Sequence, residues 1–323
     1  MKHEMPSASD EKAYRAILRQ RMVGLLAGLA PEEGYNPSAL AEVRFLRSNR
    51  PLKATPVLYD PGIVIVCQGR KRGYFGEQVY VYDDQHYLAV SVPVPFTMET
   101  DASPEAPLLA VYMHLDFELA ADLMLQLAQH GGIDDTAPAG MMSTPMNHRM
   151  AESVLRFLEV MGDPLQAAVL GPALVREIYF HVLAGAQGGA MRAALSMQGR
   201  FGQVARAIRR IHQSYACDLA VEQLAQEAGM SVPSFHSHFR SVTQTSPVQY
   251  LKSTRLHQAR LLMVRNGMTA AAASYAVGYG SPTQFSREFK RLFGRSPVEE
   301  VRRMKAEFAL PPAHANTAFV SSH

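Results

Sequence analysis

The sequence predicts an α+β protein, with a strand-rich N-terminal half, following helices, and a wholly helical C-terminal half. Three observations carry this expectation. Residues 58–112 form short runs dense in Val, Ile and Tyr, broken by turn residues. Residues 117–185 place apolar side chains at three- and four-residue intervals. A pattern near residue 230 recurs fifty residues later, so one structural unit is used twice. At 323 residues and 47% hydrophobic content, the chain can fill a core in each half.

The strand-rich part reads as VLYDPGIVIVCQG, then KRGYFGEQVYVYDDQHYLAVSVPVPFTMET, then PLLAVYMHLD. Alternation in QVYVYDDQHYLAVSV and the Gly and Pro placements predict hairpins, closing into a small antiparallel barrel or sandwich. The three segments FELAADLMLQLAQH, HRMAESVLRFLEVM and LQAAVLGPALVREIYFHVLAG then read as helices. Their apolar surface exceeds what one core needs, which suits either a homodimer interface or packing back onto the barrel. The small, Gly-rich stretch AQGGAMRAALSMQGR marks a linker. The expected organisation is thus an N-terminal domain over 1–187, a linker over 188–200, a helical domain over 201–308 and a loose tail over 309–323.

Composition narrows the functional classes. Two cysteines, Cys67 and Cys217, are too few for a disulfide framework or a cysteine-rich zinc site, and both are expected reduced and buried. The polar start, MKHEMPSASDEKAYR, lacks the apolar stretch of a secretory signal, and no apolar run approaches the roughly 20 residues that cross a bilayer. A cytoplasmic protein with no membrane partner is the expectation. Charge is unevenly spread: residues 201–310 carry 15 Lys+Arg against 7 Asp+Glu, whereas residues 1–200 carry 17 against 22. A basic C-terminal module facing a polyanion fits that asymmetry.

In the repeat, AGMSVPSFHSHFRSVTQTSP aligns with VGYGSPTQFSREFKRLFGRSP, pairing Phe235 with Phe285, Phe239 with Phe289 and Pro247 with Pro297. Each unit has a short helix, a glycine (Gly229, Gly278) suited to a left-handed C-cap, a serine (Ser231, Ser281) placed to cap the next helix, and a proline (Pro233, Pro282) in its first turn. This is helix-turn-helix grammar, with one helix braced so that its outward face can enter a major groove.

With the SPVQYLKSTRLHQARLLM helix between its two copies, this doubled unit resembles the DNA-binding domain of the AraC/XylS family of bacterial transcription regulators, over about residues 201–305. YDPGIVIVCQGRK, HYLAVSVPVPF and REIYFHVLAG further resemble the AraC-type N-terminal domain, which implies a cupin-like barrel followed by helices. Two positions depart from the family pattern. Gln244 stands where the second copy has Gly294, at an expected cost of about 1 kcal/mol, and Ser274 stands where alanine is common.

The resemblance and the helical spacing together nominate contacts. Base-edge candidates are Pro233, His236 and Ser237 in the first unit and Thr283, Gln284 and Arg287 in the second. Phosphate candidates are Ser231, Arg240, Ser281, Lys290, Arg291 and Arg295. Two such units on one long helix can place their reading helices about 34 Å apart, in successive major grooves.

The implied function is a sequence-specific transcription regulator, an activator, that binds promoter DNA, works with RNA polymerase and responds to a small-molecule effector. Tyr59, Tyr74, Tyr80, Tyr82 and Tyr87 would suit an aromatic or amphipathic effector, and suit a barrel surface equally well. Two alternatives stay open: a metal-dependent cupin enzyme with an appended DNA-binding domain, and a non-specific architectural DNA binder. Neither a catalytic residue nor a cofactor is assigned. His236 and His238 point roughly 200° apart on a helix, and His86, His114, Glu77, Glu99 and Asp84 do not assemble into a ligand set with the usual spacing, so no metal site is expected.

Overall fold

The computed structural model describes residues 8–130 and 136–307. It opens with a helix that the sequence pattern does not announce, α1 (Ala8–Leu29). Leu18, Met22 and Leu26, one turn apart, bury this helix against the outer face of a sheet. Interspersed arginines disguise that stripe in the sequence, although two of them grip neighbouring elements: Arg19 pairs with Asp84 and Arg21 with Glu159.

The sheet follows, in strands β1 (Gly34–Pro37), β2 (Val43–Ser48), β3 (Leu52–Tyr59), β4 (Gly62–Gln68), β5 (Arg70–Phe75), β6 (Gln78–Asp83), β7 (His86–Val90), β8 (Val94–Asp101), β9 (Leu108–His114) and β10 (Met141–Pro145). Their order is β1-β2-β9-β4-β7-β6-β5-β8-β3, with β10 on β7, and every pairing is antiparallel. The sheet curls into a half-barrel with β1 and β3 as its edges. Strand structure begins at Gly34, earlier than expected, because Arg44 and Arg47 mask the alternation of β2. β10 lies in a stretch that carries no strand signal of its own.

The two sheet faces divide the residues cleanly. Tyr35, Tyr59, Val64, Tyr82, Leu88, Met98 and Tyr112 face inward, while Ile63, Ile65, Cys67 and Val111 face outward under helices. Lys71 also points inward, 1% exposed, with its Nζ 3.0 Å from Tyr59 Oη. Burial lowers the Lys71 ammonium to about 7 and raises the Cys67 thiol to about 12. Cys217 is exposed, which corrects the expectation that both cysteines are buried; it lies in the turn after α6 rather than in an apolar run.

The three expected helices are present as α2 (Phe117–His130), α3 (His148–Val160) and α4 (Pro164–Ala184). Asn147 and Asp163 cap α3 and α4 through the backbone amides of Met150 and Gln166. By length and composition α4 could cross a bilayer, contrary to the expectation that no segment is apolar enough. Here it packs on α2, α3 and α5, burying Ala167, Gly171, Val175, Ile178 and Val182. The stretch expected as a linker is mostly helical: α5 (Gly188–Leu195) buries Ala190, Met191 and Ala194. Its glycines lie only at the N-terminal end, and the good helix formers that follow set its structure.

The C-terminal half holds α6 (Gly199–Ser214), α7 (Val221–Glu227), α8 (Val232–Thr243), α9 (Pro247–Arg265), α10 (Ala270–Ala276), α11 (Pro282–Phe293) and α12 (Pro297–Glu307). The tail expected over 309–323 lies outside the described residues. One apolar core runs from the inner face of the sheet through α6, α7 and α8 to Tyr250 and Leu251 of α9. A separate core, with Leu256, Met263, Val277, Phe285, Phe289 and Phe293, holds α9, α10 and α11 together.

Candidate nucleic-acid interface

Both repeats fold by the same local rules. α7 ends with Gly229 at φ +65° and α10 is followed by Gly278 at φ +87°. Past each glycine the chain folds back, with the Met230 amide donating to Ala225 and the Tyr279 amide to Ser274, each at 2.9 Å. Phe235 and Phe239 are fully buried under α8, and Phe285 and Phe289 under α11. Each pair of rings lies tilted, with centroids 5.3 and 5.5 Å apart. Ser274, the other departure from the family pattern, donates its hydroxyl to the Ala271 carbonyl at 2.8 Å, inside its own helix.

The helix caps are unequal. Ser281 accepts from the Gln284 amide, as expected, whereas Ser231 makes no side-chain capping bond. Pro233 takes only the second-position amide out of play, and the Ser234 amide, the counterpart of the one Ser281 uses, is left without the Ser231 hydroxyl. At the other end, Gln244 takes up the left-handed conformation at φ +54°, matching Gly294 at +74°. The expected penalty at Gln244 is therefore carried in the fold rather than evaded.

Of the base-edge candidates, Pro233, His236, Ser237, Thr283, Gln284 and Arg287 are all exposed. Among the phosphate candidates, Ser231, Arg240, Lys290, Arg291 and Arg295 are exposed and Ser281 is half-buried. His236 and His238 diverge: the first is exposed, and the second lines a crevice with Phe75, Tyr80 and Gln244. Arg291 lines a crevice of about 360 Å³ between α9, α11 and the sheet edge, shared with Pro56, Pro95, Phe96 and Lys252. Arg295 Nη1 stands 3.9 Å from Glu300 Oε2.

Several polar residues behind this face carry no signal of their role in the sequence. Glu288, on α11, receives Lys252 Nζ and Tyr279 Oη at 2.8 Å each, and Gln284 Nε2 at 3.3 Å. Partial burial would raise its carboxyl, but these donors outweigh it and hold Glu288 below the ordinary carboxylate value. Arg260, 1% exposed, donates from Nη1 to Glu300 at 3.2 Å and from Nη2 to the Pro56 carbonyl at 3.4 Å, and its guanidinium sits 4.2 Å from the Phe293 ring centroid. Tyr250 Oη donates to the Pro93 carbonyl at 2.8 Å and is 2.7 Å from His212 Nε2. Only the i, i+4 spacing of Gln284 and Glu288 is visible in the sequence; most of the other pairs are separated by tens of residues.

The histidines weighed for a metal have other surroundings. His86 Nδ1 lies 3.0 Å from Asp83 Oδ1, and burial lowers His114 to about 4. Among the described residues, no three His, Cys, Asp or Glu side chains converge.

Residues 39–190 match the model of the AraC-type transcriptional regulator N-terminus, and residues 224–303 match a helix-turn-helix domain. The chain belongs to the AraC/XylS family of transcriptional regulators. Among its relatives in that family is the activator RhaS of Salmonella schwarzengrund, 24% identical over 237 residues, which are 69% of this chain and 80% of RhaS. The regulator AlkR of Acinetobacter baylyi is 34% identical over 95 residues, 29% of this chain. RclR, an RCS-specific activator of Escherichia coli, is 36% identical over 85 residues, 26% of this chain. These last two alignments span only 31% of AlkR and 30% of RclR. In fold, ToxT from Vibrio cholerae superposes with a TM-score of 0.54 at 10% identity, covering 80% of this chain and 98% of ToxT.

Proposed function

We propose that this regulator is a cytoplasmic, sequence-specific activator that reads promoter DNA with α8 and α11 and acts with RNA polymerase. The observation that carries the reading is the pair of like-built helices, α8 burying two phenylalanines and α11 three, each exposing polar and basic side chains. Pro233, His236 and Ser237 in α8, with Thr283, Gln284 and Arg287 in α11, are the base-edge contacts of this reading. Ser231, Arg240, Ser281, Lys290, Arg291 and Arg295 serve phosphates. RhaS and RclR are named as activators, which supports the direction of regulation. No enzymatic activity is part of this reading.

The domain division at about residues 187 and 200, a homodimer and a small-molecule effector belong to the same proposal. Leu165, Val169 and Phe180 on α4 and Leu125 on α2 are exposed apolar residues that a second copy would cover. ToxT has been solved with an unsaturated fatty acid bound, which supports an amphipathic effector for this similar fold.

Selection of bound sites from random DNA, followed by footprinting and competition at fixed salt, tests the reading. A regulator of this kind should prefer its site over bulk DNA by roughly 10³ or more. Equal competition by all sequences would leave only an architectural binder.

A further inference from the structure

Gln284 and Glu288 lie one turn apart on α11, with Gln284 Nε2 3.3 Å from Glu288 Oε1. The carboxylate is anchored from outside the helix by Lys252 of α9 and by Tyr279 of the preceding turn, both at 2.8 Å. Its side chain is only 12% exposed. The backbone under Gln284 is pinned as well, since its amide donates to the Ser281 cap.

A carboxylate can accept hydrogen bonds but not donate them, so the nitrogen of the Gln284 amide must face Glu288. The amide is thereby denied the flip that a free glutamine has. One acceptor and one further N–H remain for a partner. That pair matches the N6 donor and N7 acceptor of adenine, whereas guanine offers two acceptors, N7 and O6, on the same edge.

We propose that Glu288 is a specificity-determining positioning residue, which commits α11 to adenine at one position by fixing the amide of Gln284. This rests on the reading of Gln284 as a base contact. Lys252 and Tyr279 hold the carboxylate in place but do not touch the amide.

The test is competition binding of the full-length protein to its selected site and to versions substituted at each base. Wild type should favour adenine at one position by roughly tenfold or more, the range of a good bidentate contact. Glu288→Gln, whose own amide can both donate and accept, should bring that preference close to one while leaving preferences elsewhere intact. Glu288→Met, which keeps the volume and cannot orient an amide, should do the same, so a folding defect peculiar to one substitution does not decide the result. Tyr279→Phe should keep the adenine preference even if its melting temperature falls. If Gln284→Ala abolishes the preference and both Glu288 variants retain it, the positioning role is overturned while the base-contact reading stands. If Gln284→Ala also retains it, the base-contact reading fails and takes the proposal with it.

Discussion

Arg287 and Lys290 are both exposed cations on α11, yet the function proposed for them differs. A guanidinium can meet a guanine edge with two hydrogen bonds, whereas an ammonium beside a phosphate is a point charge. Arg287→Ala should cost about 1–3 kcal/mol at the selected site and relax one base position. Lys290→Ala should weaken every sequence alike and lower the salt dependence by about one counterion. Equal losses on all sequences for Arg287→Ala would refute its assignment. A second residue-scale prediction concerns Gly76 in the β5–β6 turn, at φ +62°, where an added Cβ would fall 2.7 Å from Gln244 Oε1. Gly76→Ala should destabilise the protein by about 1–2 kcal/mol from backbone strain alone, with further loss from the clash. Pairing it with Gln244→Gly in a double-mutant cycle should recover the clash and leave the strain, as urea midpoints of the four proteins would reveal.

At the scale of elements, α8 and α11 are held by different cores. Phe239 belongs to the core that continues into the sheet, and Phe289 to the separate core of the second unit. Either Phe→Ala change should cost about 3–5 kcal/mol. Hydrogen exchange should distinguish them: Phe289→Ala should speed exchange in α10 and α11 while sparing the sheet, whereas Phe239→Ala should loosen strand amides too. The helices and the repeat are legible in the sequence because 3.6-residue periodicity and paired glycines are local signals. Gly229, Gly278 and the buried phenylalanines need only a register to be found. α1 and β2 are hidden because arginines interrupt their apolar pattern, half-buried Arg44 and Arg47 in the case of β2, and β10 because five residues carry too little periodicity. In the candidate site, exposure of the candidate contact residues follows from spacing, but Lys252 and Tyr279, which hold Glu288, come from α9 and a turn, and nothing local announces them.

At the scale of the whole molecule, buried polar links tie the helical half to the sheet. Tyr250 bridges His212 of α6 to the Pro93 carbonyl, and burial lowers His212 from 6.5 to about 3. Between those values the unfolded chain binds a proton that the folded chain refuses, so this contribution to stability is complete above the upper value and is lost as the pH falls. Stability should drop by about 1.4 kcal/mol per pH unit on acidification through this window, and His212→Gln should flatten the slope. Chemical denaturation across the window checks this, and an unchanged slope in the variant would count against it. Arg260 makes the second link, joining the β3 edge to α9, α11 and α12 through one buried guanidinium. Removing one partner of such a pair is costlier than replacing both, so Glu300→Gln should destabilise more than a matched apolar exchange of Arg260 and Glu300 together.

β3 is an eight-residue edge strand that, among the described residues, pairs on one side only, with β8. Pro56, which has no N–H to offer, and the register break between Leu52 and Thr55 already blunt that edge. α9 and α11 lie across what remains of it. The helices proposed to read DNA therefore also act as a guard against strand-to-strand association. An N-terminal half made without them would bare β3, and its solubility should suffer before its secondary structure does.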